Sequence, residues 1–327
     1  MTSREFCFTN PPFAECHAAS IEHLSDGRFL AVWFAGSHER HPDVAIWGAA
    51  RSKDGNWEAP RRIARATDEA HWNPVLFRGA DGRLHLWFKT GVSVPHWRTW
   101  TQISEDDGRT WSAPRVLVPG DIGGRGPVKN KPIVLAEGAW LAGASTEVRH
   151  GDASETWDIF IDRSEDQGAT WRRTSDIAMD RTRITGHGLI QPTLWESAPG
   201  HVHLLCRSTC KRVCRSDSRD GGRTWSPAER TNLPHNNSGI DLVRLAGGTL
   251  VLCCNPIEGG WPLRSPLSLL VSRDEGRTWT RLIDLETEKG GEFSYPAIIA
   301  DGPDAVAVAW TWKRKRIAFQ RVAIPGA

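Results

Sequence analysis

One eight-residue phrase recurs along the chain and constrains its fold more than any other feature. Ser272-Arg-Asp-Glu-Gly-Arg-Thr-Trp279 is its cleanest copy, and the pattern Ser-x-Asp-x-Gly-x-Thr-Trp returns at Ser104–Trp111, Ser164–Trp171 and Ser218–Trp225. A shortened form, Ser52-Lys-Asp-Gly-Asn-Trp57, precedes them, and successive starts are 52, 60, 54 and 54 residues apart. A fixed period of this length marks a repeat architecture. Each position has a physical task. Asp accepts from nearby backbone N–H groups, Gly takes positive φ, and Trp covers the turn with apolar surface. The phrase therefore reads as a hairpin turn with its own anchor, and it accounts for 17 Trp beside a single Tyr.

A second pattern lies between the turns: a polar residue, usually Pro, a short apolar run, a Gly turn and another apolar run. Its six copies begin at His17, Asn73, Lys131, Gln191, Asn237 and Tyr295, at intervals of 56, 58, 60, 46 and 58 residues. Segments such as Gly82-Arg-Leu-His-Leu-Trp-Phe88 supply the following strand. Short strands, frequent turns and no sustained helical period predict an all-β chain. Six copies, each with room for four strands, predict a six-bladed β-propeller of four-stranded antiparallel blades, with residues 1–327 as a single domain. Too few residues follow Tyr295 for four strands, so the N-terminal segment near Glu5–Thr9 should supply the outer strand of the last blade and close the ring. Innermost strands begin at one mouth of a propeller, so the six polar residues are expected to converge there.

Composition narrows the partners. Lys and Arg number 41 against 39 Asp and Glu, which favours neither nucleic acid nor an anionic membrane surface. No run of 18 apolar residues occurs and the N-terminus shows no apolar signal region, so the expectation is a cytoplasmic protein. The seven Cys lack zinc-type spacing and read as free thiols, and neither a metal nor a cofactor is expected. His38, Glu39 and His41 read as a solvated loop beside the mouth. Lys313-Arg-Lys-Arg316 reads as a basic run within a strand.

The Ser-x-Asp-x-Gly-x-Thr-Trp phrase resembles the Asp-box of the sialidase (neuraminidase) superfamily, over nearly the whole chain. That family holds its substrate carboxylate with three Arg, uses a Tyr nucleophile paired with a Glu, and uses an Asp as acid/base. By resemblance, Arg207, seven residues after the Gly200 turn, is similar to the second Arg, and Arg264, eight residues before Ser272, to the third. Tyr295 opens the last blade as the nucleophile does, and Asp43 is a loose counterpart of the acid/base. The departures are as informative. His17-Ala-Ala-Ser-Ile21 stands where the family reads Arg-Ile-Pro-Ser-Leu, and Gln191 stands where it has the Glu that activates Tyr. A neutral Gln cannot take the phenol proton, and an unassisted phenol is a poor nucleophile at neutral pH. The chain resembles the bacterial "predicted neuraminidase" branch most.

Arg207, Arg264 and Lys131 at one site favour an anionic ligand, because guanidinium meets carboxylate with two hydrogen bonds. Asn73, Asn130, Asn236 and Asn237 suit sugar hydroxyls, and Trp33, Trp72 and Trp97 are candidate sugar platforms. An acidic glycan or oligosaccharide is the expected partner. Three functions stay open on sequence. The first is an exo-glycosidase in which Tyr295 attacks, Asp43 protonates the leaving oxygen, and Glu292 or Glu196 stands in as base. The second is a uronate lyase using His17 and Tyr295. The third is a non-catalytic glycan-binding propeller.

Overall fold

The computed structural model describes residues 3–326. Among them the strands form six four-stranded antiparallel sheets, and the one helical turn is the three-residue 3-10 segment Val94–His96. Blade 1 runs outward through Glu15–His23, Phe29–Gly36, Ala45–Arg51 and Arg61–Ala64. Blades 2 to 5 repeat this order, with inner strands His71–Arg78, Ile133–Val134, Leu189–Ala198 and Asp241–Arg244. Blade 6 holds Phe293–Ala300, Ala305–Trp312 and Arg316–Ala323, and its fourth strand is Glu5–Phe6, paired antiparallel to Arg316–Ala323. The ring therefore closes as the missing outer strand required. Charge pins the closure on both sides: Glu5 accepts from Arg51 of blade 1 at 2.8 and 2.9 Å, and Arg4 donates to Glu286 of blade 5 at 2.8 Å.

Burial follows from this geometry. Each sheet is covered on both faces by its neighbours, so a middle strand such as Phe29–Gly36 is buried along all eight residues, whereas outer strands such as Arg172–Arg173 stay exposed. The core is six clusters, one per blade interface. Cys16, Trp33 and Phe319 join blades 1 and 6, and Trp87, Trp140 and Trp171 dominate the interface of blades 2 and 3.

Four Asp-boxes share one set of bonds. In the last, Asp274 accepts from Ser272 Oγ at 2.7 Å and from Thr278 N and Oγ1 at 2.9 and 2.6 Å, and Trp279 Nε1 donates to Gly276 O at 3.1 Å. Thr278 thereby holds the Asp274 carboxyl down at about 2. Each turn links the third strand of its blade to the fourth. In three of the four the glycine also meets the preceding blade, a contact that the repeat alone did not indicate. A Cβ on Gly108 would lie 2.7 Å from Leu30, and one on Gly222 would lie 2.5 Å from Leu141.

The inner strands enter through bulges. Ladder registers slip between His17 and Ser20, Trp72 and Val75, Ile190 and Thr193, and Ser294 and Ala297. The residues set left-handed there are Ala18, Asn73, Gln191 and Tyr295, with φ of 56°, 37°, 56° and 51°. This corrects the repeat register by one residue in blade 1. Ala18, not His17, is the counterpart of Tyr295, and His17 matches Ser294. Blade 1 lacks the Pro that follows the polar residue in four of the other five blades, so the pattern slipped.

Two outcomes test this account. Gly222→Ala should cost about 1–3 kcal/mol in chemical denaturation, from strain at φ +78° and the clash with Leu141, with ligand binding at the mouth unchanged. Asp274→Asn should lower the melting temperature at pH 7. The gap should close as pH falls from the ordinary carboxylate range through about 2, where the wild-type carboxyl also gains its proton.

Candidate functional site

A cavity of about 780 Å³ opens at the mouth of the ring. Its floor is Tyr295, raised by the left-handed bulge at the start of blade 6. The phenol oxygen accepts from Arg207 Nη1 at 2.8 Å and from Gln191 Nε2 at 3.3 Å. Both neighbours present N–H groups, so neither takes the phenol proton. Arg207 comes from the second strand of blade 4, and Asn237 Oδ1 fixes its Nε at 2.8 Å. Arg264 comes from the loop before the third strand of blade 5. Its Nε donates to Trp261 O and its Nη1 to Ser294 Oγ, both at 2.8 Å. Among the described residues, Nη2 of Arg207 and Nη2 of Arg264 have no protein acceptor. Burial pulls Arg264 down to about 10, still fully charged at neutral pH.

A third guanidinium arrives from an unexpected element. Lys313-Arg-Lys-Arg316 is not strand throughout: residues 313–315 form the hairpin turn of blade 6, with Lys313 and Arg314 left-handed. Arg314 lines the cavity, donates from Nε to Glu292 at 2.9 Å and pairs with Glu39. It supplies positive charge on the side where blade 1 carries His17 instead of Arg.

His17 is buried, with its ring centroid 4.3 Å from that of Tyr295 and its Nδ1 without a partner. Burial, then Arg314, Arg264 and Arg207, push its pKa well below the ordinary histidine value. The imidazole is therefore neutral at pH 7 and a weak proton acceptor.

Other expected site residues stand elsewhere. Asp43 lies outside the cavity, in a separate depression with Phe13 and Trp47. It accepts from Ser37 N and Oγ at 3.0 and 2.6 Å and faces His41 Nδ1 at 2.7 Å, so it ties its loop together. Lys131 is drawn into the ring axis, where its Nζ meets Asp241 at 3.0 Å. Asn73 and Asn130 are buried there too. Asn73 donates to Val128 O at 3.0 Å, and Asn130 donates to Gln191 O and Pro192 O at 3.0 and 3.1 Å. Asn236 is buried, with its Nδ2 on Leu263 O. Backbone carbonyls near the axis need donors, and these side chains supply them. Trp33, Trp72 and Trp97 are core residues, at most 4% exposed. The aromatic walls of the cavity are Trp157 and Trp261, the latter 55% exposed. Glu196 caps the turn at Gly200, and Glu292 is held by Arg264 and Arg314.

The cavity also contains carboxyls that no repeat register pointed to. Glu147 and Glu155 project from the long hairpin Trp140–Arg149 and Glu155–Ser164 of blade 3, and Glu39 comes from the first-blade loop. Burial raises Glu147 to about 7, with Arg207 opposing and Glu155 reinforcing the shift. The only sequence signal was polar residues continuing a strand beyond its apolar run, in Ser145-Thr-Glu-Val-Arg149.

The BNR repeat-like domain model matches residues 27–307. The chain belongs to that family. No curated protein matches it in sequence. In structure it is similar to a protein of unknown function from Dyadobacter fermentans, at TM-score 0.78 and 15% identity, with 98% of each chain covered. It is also similar to the Hadza microbial sialidase Hz136, at TM-score 0.77 and 18% identity, covering 94% of this chain and 66% of that one. The NanB sialidase of Streptococcus pneumoniae matches at TM-score 0.77 and 11% identity, over 99% and 71%. These likenesses establish the sialidase-like six-bladed propeller.

Glu147 yields a test of the cavity's electrostatics. The folded protein keeps this proton up to about pH 7, whereas the unfolded chain releases it near the ordinary carboxylate value. Stability from this group therefore falls as pH rises between those values. Glu147→Gln should match the wild-type melting temperature at pH 4 and exceed it increasingly up to pH 7.5.

Proposed function

We propose that the protein is a sialidase-type glycoside hydrolase that releases a terminal acidic sugar from a glycan. The observation that carries this reading is the convergence of Arg207 and Arg264 on Tyr295, in a cavity that Arg314 also lines. The two free Nη2 groups suit a carboxylate, and charge-assisted contacts of this kind are worth about 1.5–3 kcal/mol each. With the carboxylate anchored, the anomeric carbon comes to rest over the Tyr295 oxygen, which attacks it. The phenol proton passes to solvent, since Gln191 and Arg207 only donate to that oxygen.

The lyase reading loses support at His17. Its neighbouring guanidiniums and its burial make it a weak base, whereas abstraction of a C5 proton needs a strong one. The binding-only reading predicts affinity without product.

The decisive assay incubates the protein with sialosides and uronate-terminated oligosaccharides. Free acidic sugar supports hydrolysis, an unsaturated uronate chromophore indicates lysis, and binding without product leaves the glycan-binding propeller. For a hydrolase, Tyr295→Phe should lower kcat/KM by about 100-fold or more. Arg264→Lys should raise KM by about 10–100-fold through loss of the planar fork. Full turnover by Tyr295→Phe would rule out Tyr295 as the nucleophile.

A further inference from the structure

We propose that Glu147 is the proton donor and acceptor of this site, in the role that the family resemblance suggested for Asp43. The inference rests on the glycosidase reading above. Position is the first argument. Glu147 pairs with Trp157 across the blade 3 hairpin, so the two side chains share a face. Trp157 in turn lies against Arg207, with its ring 5.6 Å from the guanidinium carbon. Both line the cavity whose floor is Tyr295. Asp43 is outside it.

Availability is the second argument. Glu39 is paired to Arg314, and Glu155 accepts from Trp157 Nε1 at 3.4 Å. Among the described residues Glu147 has no hydrogen bond or ion pair, so its carboxyl is free to meet a ligand. The third argument is protonation. A group that must give a proton and then take one works best when both states are accessible near the working pH. Burial, opposed by Arg207 and reinforced by Glu155, brings Glu147 to about 7. For Asp43, burial would raise the pKa, but hydrogen bonds from Ser37 and His41 hold it below its ordinary value, so it carries no proton to give.

The step balances as follows. The Glu147 proton moves to the glycosidic oxygen while the bond from the anomeric carbon breaks. The bonding pair leaves with that oxygen, and the aglycone departs as a neutral alcohol. The Tyr295 oxygen supplies the pair for the new bond and releases its proton to solvent. Water then attacks the anomeric carbon and gives a proton to the Glu147 carboxylate. The bonding pair returns to the Tyr295 oxygen, which regains a proton from solvent. The sum is glycoside plus water giving acidic sugar plus alcohol.

The test compares wild type and Glu147→Gln on two substrates: an oligosaccharide bearing the acidic sugar that the wild type releases, and the 4-nitrophenyl glycoside of that sugar. Nitrophenolate leaves without a proton. The variant should lose about 100-fold or more in kcat/KM on the oligosaccharide and less than about tenfold on the aryl glycoside. The alkaline limb of the kcat/KM profile near pH 7 should disappear. Equal losses on both substrates, or an unchanged pH profile, would overturn the role of Glu147 and leave the hydrolase intact. A wild type that releases no acidic sugar from any sialoside or uronate-terminated oligosaccharide defeats the hydrolase reading and the Glu147 assignment together. Thermal melts of the variant verify that it folds.

Discussion

The ring depends on one buried carboxylate at its axis. Asp241 accepts from Lys131 of blade 3 at 3.0 and 3.1 Å, from Thr193 of blade 4 at 2.9 Å, and from the backbone N of Ile298 in blade 6 at 3.0 Å. With its own place in blade 5, it joins four blades. A buried charge is costly unless it is paired and its lone pairs are satisfied, and here they are. Lys129 completes the axis by donating to Asn130 Oδ1, Ile240 O and Pro296 O, and burial lowers it to about 8. Inner strands shortened by bulges leave carbonyls unpaired, and these side chains replace the missing ladder. Such a network works only when complete, which gives the axis one arrangement.

The axis explains why the mouth holds what it does. Groups that satisfy the inner backbone are withdrawn from ligand binding, so Lys131, Asn73 and Asn130 serve the ring. What reaches the cavity comes from elements that rise above it: the bulge at Tyr295, the second strand of blade 4 with Arg207, the blade 5 loop with Arg264, the blade 6 turn with Arg314, and the blade 3 hairpin with Glu147 and Trp157. Burial first, and the guanidiniums of Arg314, Arg264 and Arg207 next, keep His17 neutral.

Gln191 touches the Tyr295 oxygen without offering it a base. Its amide reaches that oxygen at 3.3 Å and accepts from Arg207 Nη1 at 3.4 Å. What is absent is a basic atom at that point. Proton traffic at that oxygen must therefore pass through solvent.

The sequence by itself determined the fold: repeats of Ser-x-Asp-x-Gly-x-Thr-Trp and of a polar residue before an apolar run are local patterns, and strand count follows from local patterns. It also determined Arg207, Arg264, Gln191 and Tyr295 as a group, because each sits at a fixed offset from a repeated turn. Offsets failed where a repeat was irregular, as in blade 1, where the lack of Pro hid a one-residue slip at His17. They gave no information where a side chain's role depends on its neighbours. Lys131 and Arg314 are both basic residues near strand ends, yet one is drawn to Asp241 and the other to Glu39 and Glu292. Asp43 and Glu147 are both carboxyls near the mouth in sequence, yet Ser37 and His41 engage one and no described residue hydrogen-bonds or pairs with the other. Only the tertiary structure decided those roles, because partnership and desolvation arise between blades brought together by closure of the ring.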